Sequence, residues 1–419
     1  MRAPIASWKG QFGCILILLA LLGACAYGWR QWRLAHPDRS HVMTALTQNM
    51  RTHCVGRLLI DLPEGSTWKP DASGATIGGI HLAVETDISH ERFKDYVEQR
   101  WQEIEAKKSS SKRYVQRTAE RSSPLSNSTV FTYGFRRVEG PDVDGVYRKN
   151  IFHDAEGYYW IDGALFKLGP TLNGEEKIAE LLPRLRARKA DEVPSSPGLC
   201  LNGAFVMGYY DLAESEQITG NFNLPYDLGL RIEHTLVHEP AGSLFQRDKE
   251  SLGEAAAYMA ATMSTDDFYD DHKFRWAKLR AGELDGEEGV VGAIQGTKST
   301  GYETSIGGVW EYPGLGKPSP RPMVNIKLNV PDIRTTYIPS PAGGFPKPQD
   351  VSQGPTEAEF FEVWDAVVAS VRFRPGALTL PPLKPAPAPP ISREQAEADQ
   401  RALDDFIASR PGVSGKPSE

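Results

Sequence analysis

Between Phe12 and Trp29 the chain runs 18 residues without a charge, with Arg2 and Lys9 ahead of the run. Beyond it the apolar positions become periodic. Alternation at period two marks strands at Ile80-Leu82-Val84, at Leu228-Leu230-Ile232, and at Val324-Ile326-Leu328-Val330. A strand of this kind packs one face and wets the other. Helical spacing groups Phe93, Val97, Trp101 and Ile104, then Leu252, Ala255, Ala256, Met259 and Met263. It also groups Ile178, Leu181, Leu182 and Leu185, and Phe360, Val363, Trp364, Val367 and Val368. Asn173 with Glu176, and Thr356 with Glu359, have the capping-box spacing that opens the last two of these helices. Pro183 should kink or shorten the first of them. Val146 to His153 and Tyr158 to Gly163 flank Asp154-Ala-Glu-Gly157, which predicts a hairpin.

These elements come in the same order twice. Each series opens on a cysteine-led strand, Cys54 to Ile60 and Cys200 to Val206, and continues to an alternating strand ending in Glu. The cysteine precedes that Glu by 31 residues in the first series (Glu85) and by 33 in the second (Glu233). A helix, further strands and a closing helix follow in each. Strands mixed with few helices, without strict strand–helix alternation, predict an α+β fold: two similar domains with mainly antiparallel sheets and a groove between them. The domains are expected at 51–189 and 198–374, joined by a linker at 190–197. Residues 30–50 read as a polar tether. Residues 375–390 hold seven prolines and read as an extended spacer, followed by a short helix and tail at 391–419.

Composition narrows the function. The chain of 419 residues is 40% hydrophobic and 24% charged, as globular proteins are, and its net charge of −7 argues against nucleic acid as a partner. The basic start and apolar run predict that residues 1–29 are an export signal or an N-terminal membrane anchor helix. Leu22-Gly23-Ala24-Cys25 is similar to a bacterial lipobox, with Cys25 as the candidate lipid-anchor residue. Lipoprotein, uncleaved anchor and cleaved signal all place the remainder outside the cytoplasm.

Catalytic motifs are missing. There is no Gly-x-Ser-x-Gly, His-Glu-x-x-His or Cys-x-x-Cys, so no catalytic, metal or cofactor residues are assigned. Gly286, Gly289 and Gly292 read as a glycine-rich turn. His234 and His238, on or beyond one strand, would start about 13 Å apart, and a packed core histidine is the expectation. Asp142-Val-Asp-Gly145 reads as a turn, and the acidic run Asp266, Asp267, Asp270 and Asp271 as a solvated loop. Cys54 and Cys200 have two possible states. An inter-domain disulfide would set the angle between the halves; two equivalent strands in separate cores would more naturally bury two separate thiols.

Thr52-His-Cys54-Val-Gly-Arg57-Leu-Leu-Ile-Asp61-Leu-Pro63 resembles the opening motif of the immunity proteins against type VI secretion lipase effectors of family 4. Gly282-Glu-Leu-Asp-Gly286-Glu-Glu-Gly289 and the later Val309-Trp310-Glu311 fit the same pattern. The resemblance spans about 51–374. It implies a non-enzymatic, periplasmic, two-domain protein that grips the cap or lid of a phospholipase effector so that lipid cannot enter. It names no contact residues. Without the resemblance, a cell-envelope structural or assembly lipoprotein with no effector partner would account for the same export signal and missing chemistry.

Overall fold

A computed structural model describes residues 8–39, 43–107, 119–141, 143–189, 191–209, 215–247, 267–297, 301–317, 319, 321–331, 333 and 354–380, with the backbone alone for 8–18, 267–270, 295–297 and 301–303. The N-terminal part contains α1 (Trp8–Ala35), α2 (Ala45–Gln48), β1 (Met50–Val55), β2 (Leu58–Pro63), β3 (Thr67–Trp68), β4 (Gly74–Ile77) and β5 (Ile80–Glu85). It continues through α3 (His90–Ala106), β6 (Glu120–Ser122), β7 (Ser128–Pro141), β8 (Tyr147–Ile161), β9 (Ala164–Leu172), α4 (Glu175–Leu181) and β10 (Leu185–Ala187). The second half comprises β11 (Gly198–Leu201), β12 (Ala204–Met207), β13 (Glu216–Leu224), β14 (Leu228–Thr235), β15 (Asp267–Ala281), β16 (Leu284–Thr297), β17 (Gly301–Tyr312) and β18 (Met323–Val330). It closes with α5 (Glu357–Ala369) and β19 (Arg372–Phe373).

The predicted mixture of antiparallel strands and flanking helices is present, but the halves are not separate bodies. Thirteen strands form one sheet in the order β15-β16-β17-β18-β14-β13-β4-β5-β9-β8-β7-β6, with β3 beside β13. The seam is β4 against β13, antiparallel, from Gly74 opposite Thr219 to Ile77 opposite Glu216. Each of these would otherwise be an edge strand with unpaired main-chain donors and acceptors, and pairing them satisfies both. Closing strands are also exchanged. β19, the end of the second half, pairs with β2, and β10, the end of the first, pairs with β12. One buried apolar cluster accordingly runs through both halves, from Leu82 and Phe166 to Ile232, Trp310 and Trp364. The expected open groove between two independent domains is therefore replaced by a shared sheet and core.

Local expectations fared unevenly. Strands β5, β14 and β18 carry the alternating positions, and α3 buries Phe93, Val97 and Ile104. Helix α5 has the full Thr356–Glu359 capping box, and its five stripe residues are all completely buried. Helix α4 ends at Leu181, where Pro183 forces a 3-10 turn. Its N-cap is Gly174 rather than Asn173, whose Oδ1 instead accepts the backbone N–H of His153.

Each cysteine-led strand is in fact a hairpin, turning at Gly56 and at Gly203, both at positive φ. Asp154 to Gly157 is no turn: β8 runs straight through it with a register shift between Ala155 and Gly157. The hairpin turn lies earlier, at 143–145. Gly286, Gly289 and Gly292 lie within β16, where a Cβ would strike the rings of Trp310, Trp276 and Phe274 respectively. Glycine there makes room for aromatic rings rather than for a turn. From Asp267 onward the acidic run is likewise strand, since β15 begins there; Asp266 lies outside the described residues. The predicted helix at 252–263, the chain beyond Leu380 and the tail helix lie outside the described residues.

Candidate functional site

The opening motif can be followed residue by residue. The Cys54 and Cys200 sulfurs are bonded, with Cα atoms 5.6 Å apart and both side chains buried. The separate-thiol expectation fails because the two hairpins lie against each other in one core: Gly56 and Cys200 exchange backbone hydrogen bonds of 2.7 and 2.8 Å. Positive φ suits glycine at 56, and a Cβ there would overlap the imidazole of His234. Arg57 is buried and donates through Nε and Nη2 to Glu216 at 2.8 and 2.6 Å. Glu216 stands on the seam strand β13, opposite Ile77 of the first half. His234 accepts the Arg57 backbone N–H at Nε2, 3.3 Å away, which leaves Nδ1 to carry the proton 3.6 Å from Glu216. Burial first, and the Arg57 charge second, lower the His234 pKa to about 3. The core reading of His234 therefore agrees with its position.

Arg374 completes the junction. Its Nη groups donate to the carbonyls of Pro194, Ser196 and Gly198, so the linker is fastened to the body. Burial and the neighbouring Arg57 guanidinium bring the Arg374 pKa down to about 10. These groups are enclosed, and all but the His234 Nδ1 and Arg374 Nε positions have hydrogen-bond partners. They hold the halves together and present no reacting atom to solvent.

A second group of charges fastens the N-terminal segment, which is more structured than a tether. Arg39 pairs with buried Glu288 at 2.5 Å and with Asp365 at 3.2 Å. Glu362 accepts the Thr44 amide, the Thr44 hydroxyl and the Thr47 hydroxyl. Burial opposes ionisation of Glu362, but these hydrogen bonds prevail and lower its pKa. Cys25 lies on α1 and is exposed. Among the described residues no helix is long and apolar enough to cross a membrane.

The accessible feature is a two-stranded ribbon formed by the distal parts of β7 and β8. Val138 faces Asn150, Ile151 faces Arg137, and Pro141 faces Tyr147. Among the described residues β6 pairs with Val130 to Thr132 and β9 reaches as far as Asp154, so the ribbon extends past its neighbouring strands. Irregularities set it off from the sheet: the β7–β8 register shifts between Tyr133 and Arg136, and the β8–β9 register between Ala155 and Gly157. Such bulges bend strands and increase twist. The base is held by Glu156, 3% exposed, which accepts from Arg100 of α3 and from the Tyr133 and Tyr158 hydroxyls. Burial beside that carboxylate raises both phenol pKa values. With every donor engaged, this cluster is a brace. Beyond it Val138, Val143, Val146, Tyr147 and Ile151 are exposed, Val143 completely. An exposed apolar strip of this kind suits protein recognition rather than chemistry.

The ribbon was not predicted as a surface. The turn expected at Asp142–Gly145 is present at 143–145, but with the hairpin expected at Asp154–Gly157 instead, the ribbon is not foreseen. Among the described residues no group of three or more His, Cys, Asp or Glu is placed to hold a metal.

Comparison with known proteins agrees with this arrangement. Residues 51–180 match the Tle cognate immunity protein 4 N-terminal domain, and residues 192–376 match its C-terminal domain. Immunity protein TplEi of the type VI secretion system from Pseudomonas aeruginosa, in its apo structure, is 20% identical with a TM-score of 0.54, covering 80% of this chain and 100% of that one. A chain of the Tle4–Tli4 complex is 21% identical with a TM-score of 0.56, covering 79% of this chain and 99% of that one. TplEi bound to "L" peptide gives 20% identity and a TM-score of 0.51, over 78% and 99%. No curated protein matches. Both domain models, matched in order around the linker that Arg374 pins, place this chain in the Tle cognate immunity protein 4 family of type VI secretion lipase immunity proteins.

Proposed function

We propose that this protein is made in the effector-producing cell's own kin and protects it by binding a phospholipase effector in the periplasm and holding the effector's cap or lid shut. The observation that carries this reading is the match of both family domains, in order, over the part of the chain that forms the shared sheet. Solved relatives include one in a Tle4–Tli4 complex. The interlocked halves suit a rigid inhibitor: strand exchange, the seam and the disulfide keep the two halves from swinging apart. Little of the binding free energy is then lost to ordering the protein.

The physical requirement is differential affinity. A lidded lipase must open at the bilayer, and an inhibitor that binds only the closed form shifts that equilibrium by its preference for it. Reversing a 99:1 excess of open enzyme requires about 5.5 kcal/mol of preference. That implies an interface of roughly 1,600 Å² or more. The protein itself acts without turnover, and its N-terminal segment keeps it at the membrane, beside the lipid the effector attacks.

The test is a challenge of a strain lacking this gene with a sister strain delivering the cognate effector. Lysis or growth arrest of the deletion strain, reversed by the wild-type gene, is expected. Survival of the deletion strain would contradict the reading.

A further inference from the structure

The docked end of α1 and the start of β15 enclose an open cleft of 570 Å³. Its size lies within the range of small-molecule sites, about 300–1,000 Å³. Trp29, Arg30, Trp32 and Arg33 line one side, Lys273 and His272 the other, and Phe274 and Phe361 pack edge-to-face at 5.6 Å as part of the wall. Asp38 lines it too, and its carbonyl accepts from Arg275, whose guanidinium pairs with Asp365. Among the described residues that line it, the cleft carries Arg30, Arg33 and Lys273 together with the carboxylate of Asp38, in a chain whose net charge is −7. The Arg33 guanidinium rests on the Trp29 ring at 4.7 Å, and the Lys273 ammonium on the Trp276 ring at 4.3 Å. Cations seated on rings in this way keep their charge while their stems cover apolar surface.

We infer that this cleft binds the phosphate headgroup of an anionic membrane phospholipid, which would hold the body of the protein at a set orientation on the bilayer. Tryptophan beside arginine at the end of an apolar helix, as in Trp29-Arg30 and Trp32-Arg33, is the composition of a membrane–water boundary. Basic pockets there take anionic headgroups. The apolar wall of Phe274 and Phe361 gives the glycerol and first acyl carbons a surface to cover. Every lining residue follows Cys25 in the chain, so the site survives cleavage and acylation at Cys25 as well as retention of the whole helix. In each case lipid is brought within reach: Cys25 precedes Trp29 by four residues, about one helical turn. The inference rests on the membrane-proximal reading of the N-terminus, but the lipid-binding assay below does not.

Full-length protein in a non-ionic detergent is titrated with dioctanoylphosphatidylglycerol, a soluble anionic lipid, with dioctanoylphosphatidylcholine and inorganic phosphate as separate arms. Tight binding of the anionic lipid alone is expected, weakened at least tenfold in an Arg30→Gln/Arg33→Gln/Lys273→Gln variant. A variant Arg148→Gln/Lys149→Gln, which removes two exposed cations from the ribbon, should bind like wild type, and all three proteins should melt alike. Undiminished binding by the triple variant, equal binding of phosphatidylcholine, or displacement by equimolar inorganic phosphate would each overturn the inference. Carbonate extraction of cell membranes reads the membrane reading separately. Release of the protein by carbonate with lipid binding intact would refute stable anchoring and leave the headgroup site standing.

Discussion

Cys54, Gly56 and Arg57 carry the family resemblance, and all three face inward. Each makes a contact across the two halves: to Cys200, to His234 and to Glu216. The disulfide closes a loop with 146 residues of separation. A cross-link over that span stabilises by restricting the unfolded chain, so the Cys54→Ser/Cys200→Ser double variant should lose about 2–5 kcal/mol in urea unfolding. An unchanged midpoint would mean that the strand exchange alone sets the stability. His234 gives a pH signature. Its folded pKa, about 3, lies below its unfolded value of about 6.5, so its contribution is complete above that value and is lost as pH falls through the interval. Between pH 7 and 5 the loss should be about 2 kcal/mol, and His234→Gln should remove that part of the slope. A variant with the same pH dependence as wild type would assign the effect elsewhere.

Two elements carry separate duties. Helix α5 is the core's anchor: Phe360, Val363, Trp364, Val367 and Val368 are fully buried, and the Trp364 indole donates to Glu288 at 3.1 Å. Trp364→Ala should cost about 3–5 kcal/mol and leave Glu288 with one donor fewer, visible as a lowered melting temperature. The ribbon is the reverse case, exposed and dispensable to the core. Val143→Asp/Tyr147→Asp should leave melting unchanged and weaken binding of the phospholipase effector at least tenfold, measured by titration calorimetry. Equal affinity would move the contact surface off the ribbon. Local sequence described these elements well where periodicity was strong, as in α5 and β18. It failed where a residue's neighbour comes from another element. Nothing near Gly289 announces Trp276, and nothing near Gly157 announces the Ile178 side chain that packs against it.

At the scale of the whole molecule the same division holds. The family was legible because its motif is written in contiguous residues, and each half does open on a cysteine-led hairpin followed by an alternating strand, while the second-half helix of the repeat lies outside the described residues. The seam between β4 and β13 and the pairing of β19 with β2 were not legible, since partners more than a hundred residues apart leave no local trace. Two domains were expected to be siblings side by side; they share one sheet and exchange closing strands. Rigidity suits an inhibitor that must favour a single state of its target. The most direct test mixes the purified full-length protein with its cognate phospholipase effector and follows hydrolysis of phospholipid vesicles against inhibitor concentration. The account predicts a stable complex and activity that falls linearly to zero at one equivalent. Full hydrolysis in the presence of excess protein, or no complex at all, would contradict it.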